Sequence, residues 1–578
     1  MTLVAAAAVV VAGLLLPLWY LAQRANERGL GFVVRELIQP RTAALVGRSA
    51  LLVVVVTVAC VVLGVGFAVL IRRTDIPARR ALTIALTLPL AMPSYLLSYL
   101  WVSTVPGIAG FWGAALVLTL VSYPLIMMPT LAALARSDPA QEEVARSLGL
   151  NGFAVLCRVT LRQARAAIAA GALLVALYVL SDFGAVAAMR YEAFTWVIYG
   201  SYRSGFNPAR AAVLSLVLLV LAVALVLAEH RARGRAAAAR IGSGAPRPAP
   251  VNRLGRWTVL AWLPVAVVLT AALIVPFVAL GDWLLAGGVR FDAQRWWSAL
   301  GATVWLSGVA AVVCTAAALP LGVLAARYRT RTTRMLEGAA YLSHGLPSIV
   351  VAIAMVSVGV LLLRPIYQRE PLLILAYAVL FVPLAVGSIR SAVEAAPIRL
   401  EEVARSLGRS PLSAFCTVTA RGAAPAVAAG AALVLLTCMK ELPVTLLLHP
   451  TGTSTLATQL WGHSFVSDYA AAAPYAAARS EESSSSRLCS HARRRSSNTS
   501  IGCPIISSPP HARRTQCSGR RTSSMNAARS CSDGGRSKWQ ANSLRNITLR
   551  SYSSRKLRTK DVTFATSCVS GSAYPGGS

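Results

Sequence analysis

The sequence predicts an all-α polytopic membrane protein: two tandem six-span repeats, the twelfth span lost, followed by a disordered tail. Three observations carry this. Of 578 residues, 56% are apolar and only 13% are charged, and mean hydropathy is +0.61. A water-soluble fold of that composition would lack the polar surface to cover itself. Eleven apolar segments reach the roughly 20 residues that a spanning helix needs. An eight-residue string also occurs twice at a fixed offset, as a duplicated chain requires.

The spans lie near 2–23, 43–71, 81–104, 107–134, 165–188 and 209–229 in one half, and near 256–281, 297–326, 336–363, 371–392 and 421–446 in the other. The first has no basic leader and no cleavage site, so it reads as a true span and not a signal peptide. Alternate loops differ in charge. One set holds 25 Lys and Arg and the other 10. Short basic loops stay in the cytoplasm, which places the N-terminus inside. The net charge of +34 is therefore topological and does not mark a nucleic-acid surface. The resulting segments are 1–39 (first span and external loop), 40–232 (first repeat), 233–255 (basic cytoplasmic linker), 256–478 (second repeat, truncated) and 479–578 (Ser/Arg-rich tail). The ten Cys form no CxxC pair and no zinc spacing.

Residues 142–149 read EEVARSLG, and residues 401–408 repeat them at an offset of 259; the match extends to 17 of 30 positions over 142–171 and 401–430. Each copy sits in a basic-side loop between the fourth and fifth spans of its half. Each reads as a short amphipathic helix stopped by Gly149 or Gly408, since glycine enters the left-handed region without a Cβ clash. Two equal helices on one membrane face imply two equal partner sites.

Glu143-Val144-Ala145 followed by Gly149 and Val159-Thr160-Leu161 resembles the EAA loop of binding-protein-dependent ABC importer permeases. Glu402-Val403-Ala404, Gly408 and Val418-Thr419-Ala420 repeat it. The motif of that family ends in Leu-Pro, where this chain has Leu161-Arg162 and Ala420-Arg421. The resemblance covers most of 40–478. It implies that Glu142, Glu143, Ala145, Gly149, Glu401, Glu402, Ala404 and Gly408 couple the chain to two ATPase subunits. It also implies a periplasmic or extracellular binding protein, a place in the cell inner membrane, and no cofactor or nucleic acid. Leu88-Pro89-Leu90-Ala91-Met92-Pro93-Ser94-Tyr95, Lys440 to Pro450 and Thr455-Leu456-Ala457 resemble fused ferric-iron permeases. Thiamine, polyamine, sulfate and phosphonate permeases share the loop and remain alternatives, with a secondary transporter behind them.

No GxxxxGK[ST] loop is present, and the six His are scattered, His344 included. The chain reads as a transport subunit and not an enzyme, with ATP hydrolysis in a partner. Asp182 and Glu441 stand 259 residues apart and are thus equivalent in the two halves. An ionisable group in a span is expensive, about 2.5–3.5 kcal/mol at the bilayer centre. These acids, with Lys440 beside one of them, therefore either line the pathway or cap broken helices near Gly184 and Pro443. Hard cations prefer carboxylate oxygens. Pro93-Ser94 and Pro347-Ser348 also match between halves, and each proline permits a gating bend or a static kink.

The second half shows five spans, with 464–478 as the approach to a twelfth. At Arg479 the apolar composition stops. The tail carries 18 Lys and Arg against four Asp and Glu, five Cys and a lone Trp539. Disordered segments are usually poor in Cys and Trp. The expectation is a frameshift near codon 478 that replaced the last span, since an odd span count would also leave a basic tail on the outer side.

Overall fold

A computed structural model describes residues 2–205, 207–233, 251–285, 291–328 and 330–478. Linker residues 234–250 and the tail, for which disorder or a shifted frame is expected, lie outside the described residues, as does the His344 side chain. Every regular element among the described residues is helical.

The first half comprises α1 (Thr2–Asn26), α2 (Leu30–Ile38), α3 (Pro40–Arg73), α4 (Arg79–Thr87), α5 (Ser94–Thr104), α6 (Phe111–Ser122), α7 (Pro124–Arg136), α8 (Pro139–Ser147), α9 (Gly152–Val155), α10 (Leu161–Ser181), α11 (Gly184–Ala188), α12 (Phe194–Arg203) and α13 (Pro208–Arg233). The second half comprises α14 (Thr258–Leu269), α15 (Val275–Leu285), α16 (Ala293–Arg327), α17 (Arg331–His344), α18 (Ser348–Leu361), α19 (Glu370–Ala395), α20 (Ile398–Ser406), α21 (Pro411–Ala414), α22 (Arg421–Lys440), α23 (Pro443–Leu448) and α24 (Leu456–Phe465).

Nine of the eleven expected spans are long apolar helices among the described residues. The other two are broken. The third is the pair Arg79–Ala91 and Ser94–Thr104, which meet at 90°. The ninth is α17 and α18, parted at 345–347. Pro93 and Pro347 hold extended backbone, ψ 138° and 134°, just before α5 and α18. Proline supplies no N–H to continue the preceding turn, so the chain restarts there. The fifth and eleventh spans also differ from the expectation. They end at Ser181 and Lys440, not at 188 and 446, because Asp182 and Glu441 turn extended with ψ 126°.

Within each half, glycines let three spans close on one another. A Cβ on Gly64 of α3 would lie 2.9 Å from the Tyr123 carbonyl oxygen, and one on Gly171 of α10 would lie 2.8 Å from Ile126 Cα, so α3 and α10 grip α7 from two sides. Gly322 of α16 and Gly430 of α22 approach Ile389 and Ser388 of α19 in the same way. Small residues serve this purpose in bilayers, where packing takes over from the hydrophobic effect.

The first span of each half crosses to the other half. Ala7, Val11 and Leu14 of α1 share a core with Leu306, Ala310 and Val386. Val265, Val268 and Trp283 of α14–α15 join the core of α3, α7 and α10. The stretch expected to approach a twelfth span is largely helical. A helix runs over 469–478, up to the boundary of the described residues. Asp468 starts it by accepting the Ala471 N–H at 3.2 Å. Tyr469 stacks on Trp283 at 4.7 Å, and the Trp296 indole donates to the Pro474 carbonyl at 3.1 Å.

Candidate functional site

The duplicated string folds as α8 and α20. Asp138 caps α8 through the Ala140 N–H, with Pro139 at the first helical position, where its missing N–H costs nothing. Both helices end identically. Gly149 and Gly408 adopt φ +83° and +86°. The following N–H groups reach back, Leu150 to Ala145 at 3.2 Å and Arg409 to Ala404 at 3.1 Å. That is the six-residue closure a left-handed glycine makes at a helix end.

Each helix has two faces. Glu143, Val144, Leu148 and Gly149 are exposed on α8, as are Glu402, Val403, Leu407 and Gly408 on α20. Leu148 and Leu407 are each 78% exposed. Glu142 and Ala145 are buried on α8, and Glu401 and Ala404 on α20. The eight residues expected to act together therefore divide into an outward set and an inward set. The outward apolar residues Val144, Leu148, Val403 and Leu407 stand exposed beside Glu143 and Glu402, a feature the acidic motif alone did not reveal.

The inward acids meet partners that no motif announced. The Arg73 guanidinium donates to both oxygens of Glu142, at 2.5 and 3.3 Å, and to Ser137 at 2.8 Å. Thr160 donates to the same carboxylate at 2.9 Å. In the second half Arg327 reaches Glu401 at 2.5 Å, and Thr419 donates to it as well. Thr160 and Thr419 each lie in a π-helical turn, Leu156–Thr160 and Phe415–Ala420. The signal for the threonines was their place in the matched 30-residue stretch. For the arginines it was only a basic residue closing each second span.

The helix breaks form a second constellation. Ser94, first residue of α5, donates to Asp182 at 2.5 Å. The other Asp182 oxygen accepts the Ala185 N–H at 2.7 Å and so caps α11. Thr195 donates to the Asp182 carbonyl at 2.7 Å. The approach is close: a Cβ on Gly184 would lie 2.7 Å from the Tyr95 Cβ. In the second half Ser348 hydrogen-bonds Glu441. The Val444 N–H points to Glu441 at 3.5 Å, and Thr445 donates to its carbonyl at 2.8 Å. The two prolyl-serine breaks and the two acids, unrelated in sequence, thus meet pairwise. Lys440 closes α22, half-buried. A cavity of about 10 Å³ adjoins Glu441, lined by Thr303, Ser307, Tyr377, Thr445 and Thr455, room for about one water. Next to Asp182, Phe183 packs on Trp461 at 5.3 Å, and Trp461 on Tyr99 at 5.6 Å, so rings of both halves interlock there. Among the described residues, no group of three or more His, Cys, Asp or Glu side chains gathers that could hold a metal ion.

The family described as "Binding-protein-dependent transport system inner membrane component" matches residues 60–230 and 318–478. The second match stops at 478, whereas the repeat offset carries the end of the first to 489. A Haemophilus influenzae protein, Fe(3+)-transport system permease protein FbpB 2, is 35% identical over 469 residues, 80% of this chain and 92% of that relative. Two Escherichia coli sulfate transport system permease proteins are more distant. CysW is 26% identical over 30% of this chain and 66% of its own length, and CysT 25% identical over 36% and 82%.

Proposed function

The chain belongs to the family of binding-protein-dependent transport system inner membrane components and is a permease subunit, and from that premise we propose that it carries ferric iron inward, driven by ATP hydrolysed in separate subunits. The observation that carries the iron reading is the relative named for ferric iron, matched over 92% of its length, against partial matches to the sulfate permeases. The buried acids agree with it. A pathway flanked by Asp182 and Glu441 repels sulfate and favours a trivalent cation.

In this reading α8 and α20 each dock one ATPase subunit, through Glu143, Val144 and Leu148 and through Glu402, Val403 and Leu407. Gly149 and Gly408 set the angle at which the chain leaves each docking helix. The loop charges put both helices and the N-terminus in the cytoplasm, which leaves the opposite face for the binding protein. Lys440 offsets part of the charge of the acidic pair. Complementation tests the reading. A host without ferric uptake, given this chain with the ATPase and binding protein encoded beside it, should grow on ferric iron. Rescue of a host lacking sulfate uptake, with no rescue on iron, would transfer the assignment to sulfate.

A further inference from the structure

The two buried ion pairs behind the docking helices are copies of one device. Glu142 and Glu401 are 2% and 6% exposed, among the most shielded acids of the described chain. Each is tied to the last residue of the second span of its half (Arg73 or Arg327) and to the threonine of the turn that opens the fifth (Thr160 or Thr419). One carboxylate thus joins three elements: the docking helix, α3 or α16, and α10 or α22. The arrangement recurs in both halves although the halves differ at most positions outside it.

Stability alone explains it poorly. Removing two charges from water costs several kcal/mol per ion, and apolar side chains of the same volume usually hold such a place as well or better. The bonds are also incomplete: the Nε–H groups of both Arg73 and Arg327 are buried without an acceptor. A partly satisfied polar network fixes geometry and leaves room for a second arrangement. The π-helical turns that carry both threonines add to this, because such turns gather at functional positions in helices.

We propose that Arg73–Glu142–Thr160 and Arg327–Glu401–Thr419 are transmission clamps, in which Arg73 and Arg327 are positioning residues that turn the movement of each docking helix into movement of the second and fifth spans. The inference rests on the reading of α8 and α20 as ATPase docking sites. A docking helix held only by its loops would slide or fray under load. The guanidinium–carboxylate pair, bidentate between Arg73 and Glu142, ties the docking helix to the second span and resists sliding, and the threonine adds the fifth span to the same rigid body.

The test uses the full complex with its ATPase and binding protein in liposomes, with three readouts: ATPase subunits bound per chain, basal ATP hydrolysis, and substrate taken up per ATP hydrolysed. The variants are Glu142→Gln with Glu401→Gln, and the volume-matched apolar set Arg73→Met, Glu142→Met, Arg327→Met and Glu401→Met, which leaves no buried charge unpaired. Bound ATPase and basal hydrolysis should persist in the apolar set while uptake per ATP falls about fivefold or more. Arg73→Lys with Arg327→Lys should retain part of the coupling. Unchanged uptake per ATP in the apolar set would overturn the proposal, and so would loss of bound ATPase in that set, which would make the clamps a folding element. Leu148→Arg with Leu407→Arg tests the docking reading by itself. If those variants still bind ATPase, the docking assignment fails irrespective of the clamps.

Discussion

Two alanine substitutions on one helix should have opposite effects. Gly430 and Gly422 both lie within α22 (Arg421–Lys440). A Cβ at Gly430 would sit 2.5 Å from the Ser388 Cβ and 2.8 Å from its Oγ. The hydroxyl can rotate away, but the Ser388 Cβ moves only if α19 moves. Overpacking of this kind costs about 1–3 kcal/mol. A Cβ at Gly422 would meet nothing within 4 Å, and there alanine should stabilise the helix by up to about 1 kcal/mol. The propensity gain applies at both positions of the helix, so the two variants should differ by the overpacking term alone, about 1–3 kcal/mol, although they add the same methyl group. The assay is the loss of monodisperse complex on heating in detergent, with unaltered chain as reference. Gly430→Ala should fall below the reference and Gly422→Ala should match or exceed it. Equal stability of the two would refute the close approach of α22 and α19, and with it the three-span grip that organises each half.

Gly149→Val with Gly408→Val should leave the chain in the membrane but lower uptake. A Cβ at either position has no neighbour within 4 Å, so the main penalty is the left-handed backbone, about 1–2 kcal/mol at each site. Normal uptake would remove these glycines from coupling. Asp182→Asn with Glu441→Gln keeps an oxygen to cap α11 and α23 while deleting both charges. Assembly should persist and iron uptake fall at least about tenfold; loss of assembly with no separate effect on transport would make the acids structural. Translating the gene in the other two frames from codon 475 should reveal an apolar stretch of about 20 residues that continues the helix beginning at 469, whereas its absence in both frames would make the tail a genuine part of the chain.

The duplicated fold was legible because hydropathy and a repeated octapeptide are local signals. Nine spans follow the apolar runs with small shifts of their ends. Breaks were legible at Pro93 and Pro347 and as one of two readings near Gly184 and Pro443, but the ends of the spans beside the two acids were not. Apolar composition runs unbroken through Asp182 and Glu441, so the periodic pattern extended those spans to 188 and 446, past a change of backbone direction that one polar residue causes. The same holds for the grouping of the candidate residues. Glu142 and Glu143 are neighbours in sequence, yet Glu142 is buried against Arg73 and Thr160 while Glu143 is exposed. The pairing of Ser94 with Asp182 joins positions 88 residues apart, and only packing brings them together. The crossing of α1 and α14–α15 between halves left no sequence trace at all, because any apolar helix can face any apolar core.

The account stands most directly on what crosses the membrane, and at whose expense. Proteoliposomes holding this chain with its ATPase, supplied with binding protein outside the docking face, ATP on the side of α8 and α20, and either radioactive ferric iron or radioactive sulfate, measure both at once. The account predicts accumulation of iron that requires ATP and the binding protein together, with no accumulation of sulfate. Sulfate accumulation under the same conditions, or iron that crosses without ATP, would contradict it.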